Sequence, residues 1–120
     1  MGKSILVVDD SATERKMISA PLRQRGYDVT MATDGEEAIK KATASKPDLI
    51  VLDVVMPKKN GFQVCRKLKM APATKNIKIV MLTSKDQETD RFWGMRQGAD
   101  AYLTKPFESK ALLDAISSLI

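Results

Sequence analysis

Ile5-Leu6-Val7-Val8-Asp9-Asp10 is aliphatic at four successive positions and then abruptly acidic. A strand apolar at every position has no solvent-facing side, so it belongs in a parallel sheet covered on both faces. The pattern recurs further along. Leu49-Ile50-Val51-Leu52 ends at Asp53, Ile77 to Leu82 ends at Thr83-Ser84, and Ala101-Tyr102-Leu103 leads to Lys105-Pro106. Asp28 to Ala32 reads as a shorter strand.

Helix signals fill each gap. Ser11-Ala12-Thr13-Glu14 has capping-box spacing and opens a helix near residue 12, which runs to Arg25 with Gly26 as its stop. Pro21 lies inside it. Proline removes a backbone donor and crowds the preceding turn, so a kink or an early loosening is expected there. Asp34-Gly35-Glu36-Glu37 starts a second helix with Ala38, Ile39 and Ala42 on its apolar face, and Pro47 ends the connection. After Gly61, the residues Phe62, Val64, Cys65 and Leu68 mark a third. The fourth runs from about Gln87 to Gln97 and Gly98 closes it; Thr83-Ser84 is its expected cap, and Phe92 and Met95 continue towards Ala99 as its core stripe. The last, about Glu108 to Leu119, turns Leu112, Leu113 and Ile116 inward. Strict alternation with short loops predicts an α/β fold, a doubly wound five-stranded parallel sheet with five helices and right-handed crossovers. No repeat, low-complexity tract or linker interrupts it, so residues 1–120 are expected to form a single domain.

Composition narrows the chemistry. The 120 residues are 43% apolar and 29% charged with mixed signs, which suits a folded domain. No apolar run reaches the roughly 18 residues of a membrane span, and Met1-Gly2-Lys3-Ser4 leads into the first strand without a secretory-leader pattern. A cytoplasmic protein without membrane insertion is expected. One cysteine, Cys65, excludes an internal disulfide framework and a multi-cysteine zinc site. The absence of histidine excludes Ser-His-Asp and Cys-His catalysis, His-ligated metals and a histidine phosphocarrier. Any bound metal is then a hard, oxygen-seeking ion such as Mg²⁺. The net charge of +5 raises nucleic acid as a partner, but the lysines are dispersed and no groove-entering motif is present. No direct nucleic-acid binding is expected.

In an open parallel sheet, ligands bind beyond the carboxyl ends of the strands. Asp9, Asp10, Asp53, Thr83 and Lys105 all fall at such ends. Each alone has an ordinary reading as a turn, a cap or a strand end, and Lys105-Pro106 suits a rigid turn with a cis peptide bond. Together they are specific. Three crowded carboxylates repel one another, and Mg²⁺ relieves that conflict while keeping positions for water and phosphate. A carboxylate, Mg²⁺, a lysine and a hydroxyl are the parts needed for phosphoryl transfer to an aspartate.

These residues carry a resemblance. Leu6-Val7-Val8-Asp9-Asp10, Leu52-Asp53-Val54-Val55-Met56-Pro57 with Gly61, Leu82-Thr83-Ser84, and Gly98-Ala99-Asp100-Ala101-Tyr102-Leu103-Thr104-Lys105-Pro106-Phe107 together resemble a response-regulator receiver domain. The resemblance runs essentially end to end and implies a flavodoxin-like, receiver-type fold. It implies a two-component response regulator, not a metabolic enzyme, standing alone as in chemotaxis-like or twitching-motility pathways. Asp53 would accept a phosphoryl group from a partner histidine kinase. Asp10, Asp53 and the Val55 carbonyl would hold Mg²⁺ directly, and Asp9 through water. Lys105 and Thr83 would contact the phosphoryl group, and Tyr102 would turn inward as Thr83 moves. A protein output partner would bind helix 4, strand 5 and helix 5, with the protein a monomer or weak dimer.

Other residues carry finer expectations. Val55 has no polar group to position water and Lys85 is basic where many relatives are acidic, so both are expected to tune phosphoryl lifetime. Trp93 falls off the helix-4 stripe, and partial burial and an exposed partner anchor are equally open. Arg15 and Lys16 would face the kinase, and Lys58-Lys59 would lie beside the acidic pocket. Met17, Met70, Met81 and Cys65 are expected to pack in the interior. Two other function classes suit the sequence less well. A Mg²⁺-dependent phosphatase would need longer loops to enclose its substrate, and a basic nucleic-acid binder would need a clustered basic face.

Overall fold

The computed structural model describes residues 2–120. The chain alternates through β1 (Ser4–Val8), α1 (Ala12–Gln24), β2 (Asp28–Ala32), α2 (Gly35–Ser45), β3 (Leu49–Leu52), α3 (Gly61–Met70), β4 (Lys78–Thr83), α4 (Glu88–Arg96), β5 (Ala101–Thr104) and α5 (Ser109–Leu119). All strand pairings are parallel, in the order β2-β1-β3-β4-β5. The sequence expectation of a five-stranded α/β sheet holds.

The period of two along each strand divides the interior into two cores. Ile5 and Val7 of β1, Leu49 and Val51 of β3, and Val80 and Leu82 of β4 face α1 and α5, where they meet Ile18, Leu22, Leu112 and Ile116. Leu6, Val8, Ile50, Leu52, Ile79 and Met81 face the other way, onto Ala38 and Ala42 of α2 and Val64, Cys65 and Leu68 of α3. Each fully buried aliphatic side chain contributes about 1.5–3 kcal/mol of burial. Leu113 is only partly buried. β1 and β3 are neighbours, but their following helices lie on opposite faces, so the crevice opens beyond Val8 and Leu52.

α1 reaches its expected end, with Arg25 as its cap, and it stays helical through Pro21, where Leu22 is anchored in the core and the Pro21 carbonyl still accepts from Arg25 N–H at 3.2 Å. Three local expectations need correction. α4 is not capped by Thr83-Ser84. Its N-cap is Gln87, whose N–H donates to Asp90 Oδ2 at 3.2 Å. Phe92 and Met95 are not core residues, being 56% and 45% exposed. The residue of α4 that packs inward is Gly94, whose missing side chain lets the helix lie against the Tyr102 ring and the Met81 sulfur. Met17 and Met70 are exposed instead of packed, although Met81 and Cys65 are buried as expected.

Candidate functional site

Beyond β1, Asp9 is buried and Asp10 exposed, as expected of successive residues leaving a strand. Asp53, just past β3, is buried at 8% exposure. Carboxylate oxygens of Asp9, Asp10 and Asp53 come within 4.8 Å of one another. Gly61 starts α3 hard against this loop. Its N–H donates to the Val54 carbonyl at 2.8 Å, and a side chain there would lie 2.7 Å from Val54 Cα. The N–H of Val55 turns back to Asp53 Oδ1 at 3.3 Å, while the Val55 side chain is 52% exposed.

Lys105 follows β5 and precedes a cis peptide bond to Pro106, as its dipeptide suggested. Its ammonium reaches Asp9 Oδ2 at 2.7 Å, Glu14 Oε1 at 3.1 Å and Asp53 Oδ2 at 3.5 Å. Burial alone would lower the Lys105 pKa, but the Asp9 hydrogen bond, the Asp53 charge and the Glu14 hydrogen bond together raise it. It therefore stays an ammonium at all ordinary pH. Burial raises the Asp53 pKa, a shift reinforced by Asp9 and opposed by Thr83 and Lys105. Asp9, Asp10, Asp53 and Glu14 gather around the single Lys105 ammonium, so the pocket is short of positive charge, which is the condition a divalent cation relieves.

Thr83, at the end of β4, is fully buried beside Asp53. Its Oγ1 accepts from the N–H of Lys85 at 3.4 Å, and the Lys85 carbonyl accepts from the Tyr102 hydroxyl at 2.7 Å. The main chain of residue 85 therefore joins Thr83 to Tyr102. Tyr102 is already inward at 3% exposure, so no inward turn is left for it to make from this state. Burial and the nearby Asp90 push its hydroxyl up to about 12, and it acts as a neutral donor. Arg91 of α4 lies over the ring at 5.4 Å and donates to the Tyr102 carbonyl at 3.0 Å.

The structure brings together Asp9, Asp10, Asp53, Thr83 and Lys105 as the strand-end reading required. Sequence reasoning missed Glu14 at the pocket and the role of the Lys85 main chain. The spacing of Glu14 pointed to a helix cap, and main-chain contacts leave no residue signature. Lys58 is not aimed at the carboxylate cluster. It pairs with Asp34 at 3.8 Å and Glu36 at 3.6 Å, on the α2 side. Trp93 lies away from the pocket at 52% exposure, edge-on to Phe92 with ring centroids 5.8 Å apart.

Known proteins are similar to this chain in sequence and fold. Residues 5–117 match the family model described as the response regulator receiver domain. Protein PilH of Pseudomonas aeruginosa is 44% identical over 116 residues, which span 97% of this chain and 96% of PilH. The chemotaxis protein CheY4 of Vibrio cholerae superposes with a TM-score of 0.93 at 35% identity, covering 100% of both chains. The receiver domain of the sensor histidine kinase PA1611 from Pseudomonas aeruginosa, with a magnesium ion coordinated in its active-site cleft, gives 0.91 at 29% identity, covering 99% of this chain and 98% of that one. Other curated relatives are longer, and the chain spans 49% of one and 26% of another.

Proposed function

The chain belongs to the response regulator receiver domain family, and from that premise we propose that Asp53 is its phosphoryl acceptor, with a histidine kinase as donor. The supporting observation is the meeting of Asp9, Asp10 and Asp53 within 4.8 Å, with the Lys105 ammonium on Asp9 and Asp53. The donor set fits Mg²⁺, a hard ion that prefers oxygen: three carboxylates converge from two strand ends, with no nitrogen or sulfur ligand among them. Asp10, Asp53 and the Val55 carbonyl would hold the ion directly, and Asp9 through water. When bound, Mg²⁺ offsets the negative charge gathered on donor and acceptor oxygens.

A carboxylate oxygen of Asp53 attacks phosphorus to form an acyl phosphate. The bond from phosphorus to the imidazole nitrogen of the donor breaks, and that nitrogen keeps the electron pair. Lys105 pairs with the new phosphoryl oxygens, and the Thr83 hydroxyl turns to donate to one of them. That turn strains the Lys85 link to Tyr102, carrying the change to α4, β5 and α5, where an output protein binds. Trp93, with Phe92 and Met95, supplies exposed apolar anchors on α4 for that partner. The chain acts as a cytoplasmic switch, a monomer or weak dimer, and not as a metabolic enzyme. No helix among the described residues is long and apolar enough to cross a membrane.

Incubation with Mg²⁺ and acetyl phosphate tests this directly. Covalent phosphate is expected on the wild type and not on Asp53→Ala; label persisting on the variant would end the assignment. Val55 and Lys85 set how long the phosphate lasts. Dephosphorylation rates of Val55→Asn and Lys85→Glu are expected to differ from the wild type, and equal rates would dismiss that role.

A further inference from the structure

The first turn of α1 departs from its sequence signature at the pocket. A capping box would return the Glu14 carboxylate to the Ser11 N–H. That N–H donates instead to Asp9 Oδ1 at 3.0 Å, while Ser11 Oγ still accepts from Glu14 N–H at 3.3 Å. Released from the cap, Glu14 reaches across to Lys105 at 3.1 Å. Arg15 of the same turn donates to the Asp9 carbonyl at 2.8 Å, so this end of α1 is fastened to the site.

An ammonium has three protons to place. Around Lys105 three carboxylates stand at graded distances, Asp9 at 2.7 Å, Glu14 at 3.1 Å and Asp53 at 3.5 Å. The acceptor holds the weakest share. Glu14 does not belong to the carboxylate cluster that could hold a metal, so it competes for the lysine without joining that cluster.

We propose that Glu14 is a positioning residue that holds the Lys105 ammonium on the α1 side of the pocket, so that Lys105 engages the phosphoryl group on Asp53 only as it leaves Glu14. This rests on the reading of Asp53 as acceptor. The tether slows the loading of phosphate, because the lysine that would stabilise the incoming charge starts partly engaged elsewhere. The carboxylate is 31% exposed, so its hold is on the scale of a modest ion pair.

The test compares Asp53 phosphorylation by acetyl phosphate, at saturating Mg²⁺, in the wild type, Glu14→Ala and Glu14→Asp. Alanine removes the charge, whereas aspartate keeps it one methylene short of Lys105. Both variants are expected to load phosphate about two- to five-fold faster. Nitrogen-15 NMR of the unphosphorylated proteins should show the Lys105 ammonium resonance displaced in both. If only alanine accelerates, the effect is charge at a distance and the positioning role is overturned. Unchanged rates in both variants, or an unmoved Lys105 resonance, overturn it too. In either case phosphate on wild-type Asp53 leaves the acceptor assignment standing, whereas an unlabelled wild type overturns that assignment and this inference together.

Discussion

At the scale of single residues, Asp53 is held ionisable at a cost in stability. Burial raises its pKa, and Thr83 and Lys105 only partly oppose the shift. Folding therefore favours the protonated acid. Its stabilising contribution is complete below the unfolded-state pKa and is lost as pH rises through the raised folded value. Without Mg²⁺, Asp53→Asn is expected to melt above the wild type at pH 7, with the gap closing as the pH falls to about 3. Thermal melts across that range check it, and a variant less stable at pH 7 would contradict it. Glu14 shows why single residues resist reading from sequence. Its spacing from Ser11 identified the start of α1 correctly, yet its carboxylate found a stronger partner in Lys105, which is remote along the chain.

At the scale of elements, the parallel strands were the easiest to read, because strands covered on both faces are continuously apolar and their polar ends stand out. α4 was the hardest. Phe92 and Met95 have core-like spacing, but the inward side is chosen by Gly94, which sits where the helix must approach Tyr102 and Met81. An added Cβ would stand 2.8 Å from the Tyr102 ring and 2.9 Å from the Met81 sulfur. Gly94→Ala improves helix propensity by about 1 kcal/mol. Overpacking outweighs that gain, so the variant should lose about 1–2 kcal/mol in urea unfolding. A more stable variant would show that α4 can shift outward freely. Pro21 taught the opposite lesson, since core anchoring by Leu22 kept α1 helical where local chemistry alone favoured loosening.

At the scale of the whole molecule, the sheet separates two cores, and both must open for the domain to unfold. Cys65 reports on that event. Burial pushes its thiol up to about 12, and it has no exposed surface. Alkylation by iodoacetamide at pH 8 should be slower in the native protein than in denaturant by about 1,000-fold or more. Rapid native labelling, read by mass spectrometry, would reveal local opening of α3. The convergence of Asp9, Asp10, Asp53, Thr83 and Lys105 was legible because the fold gathers strand ends, whereas the contacts of residue 85 were not. Residue 85 meets Thr83 through its N–H and Tyr102 through its carbonyl, never through its side chain. The connection from pocket to outer face is therefore indifferent to which amino acid stands there. A side-chain substitution at this position leaves the link intact, and proline, which has no N–H to offer Thr83, is the one residue barred from it.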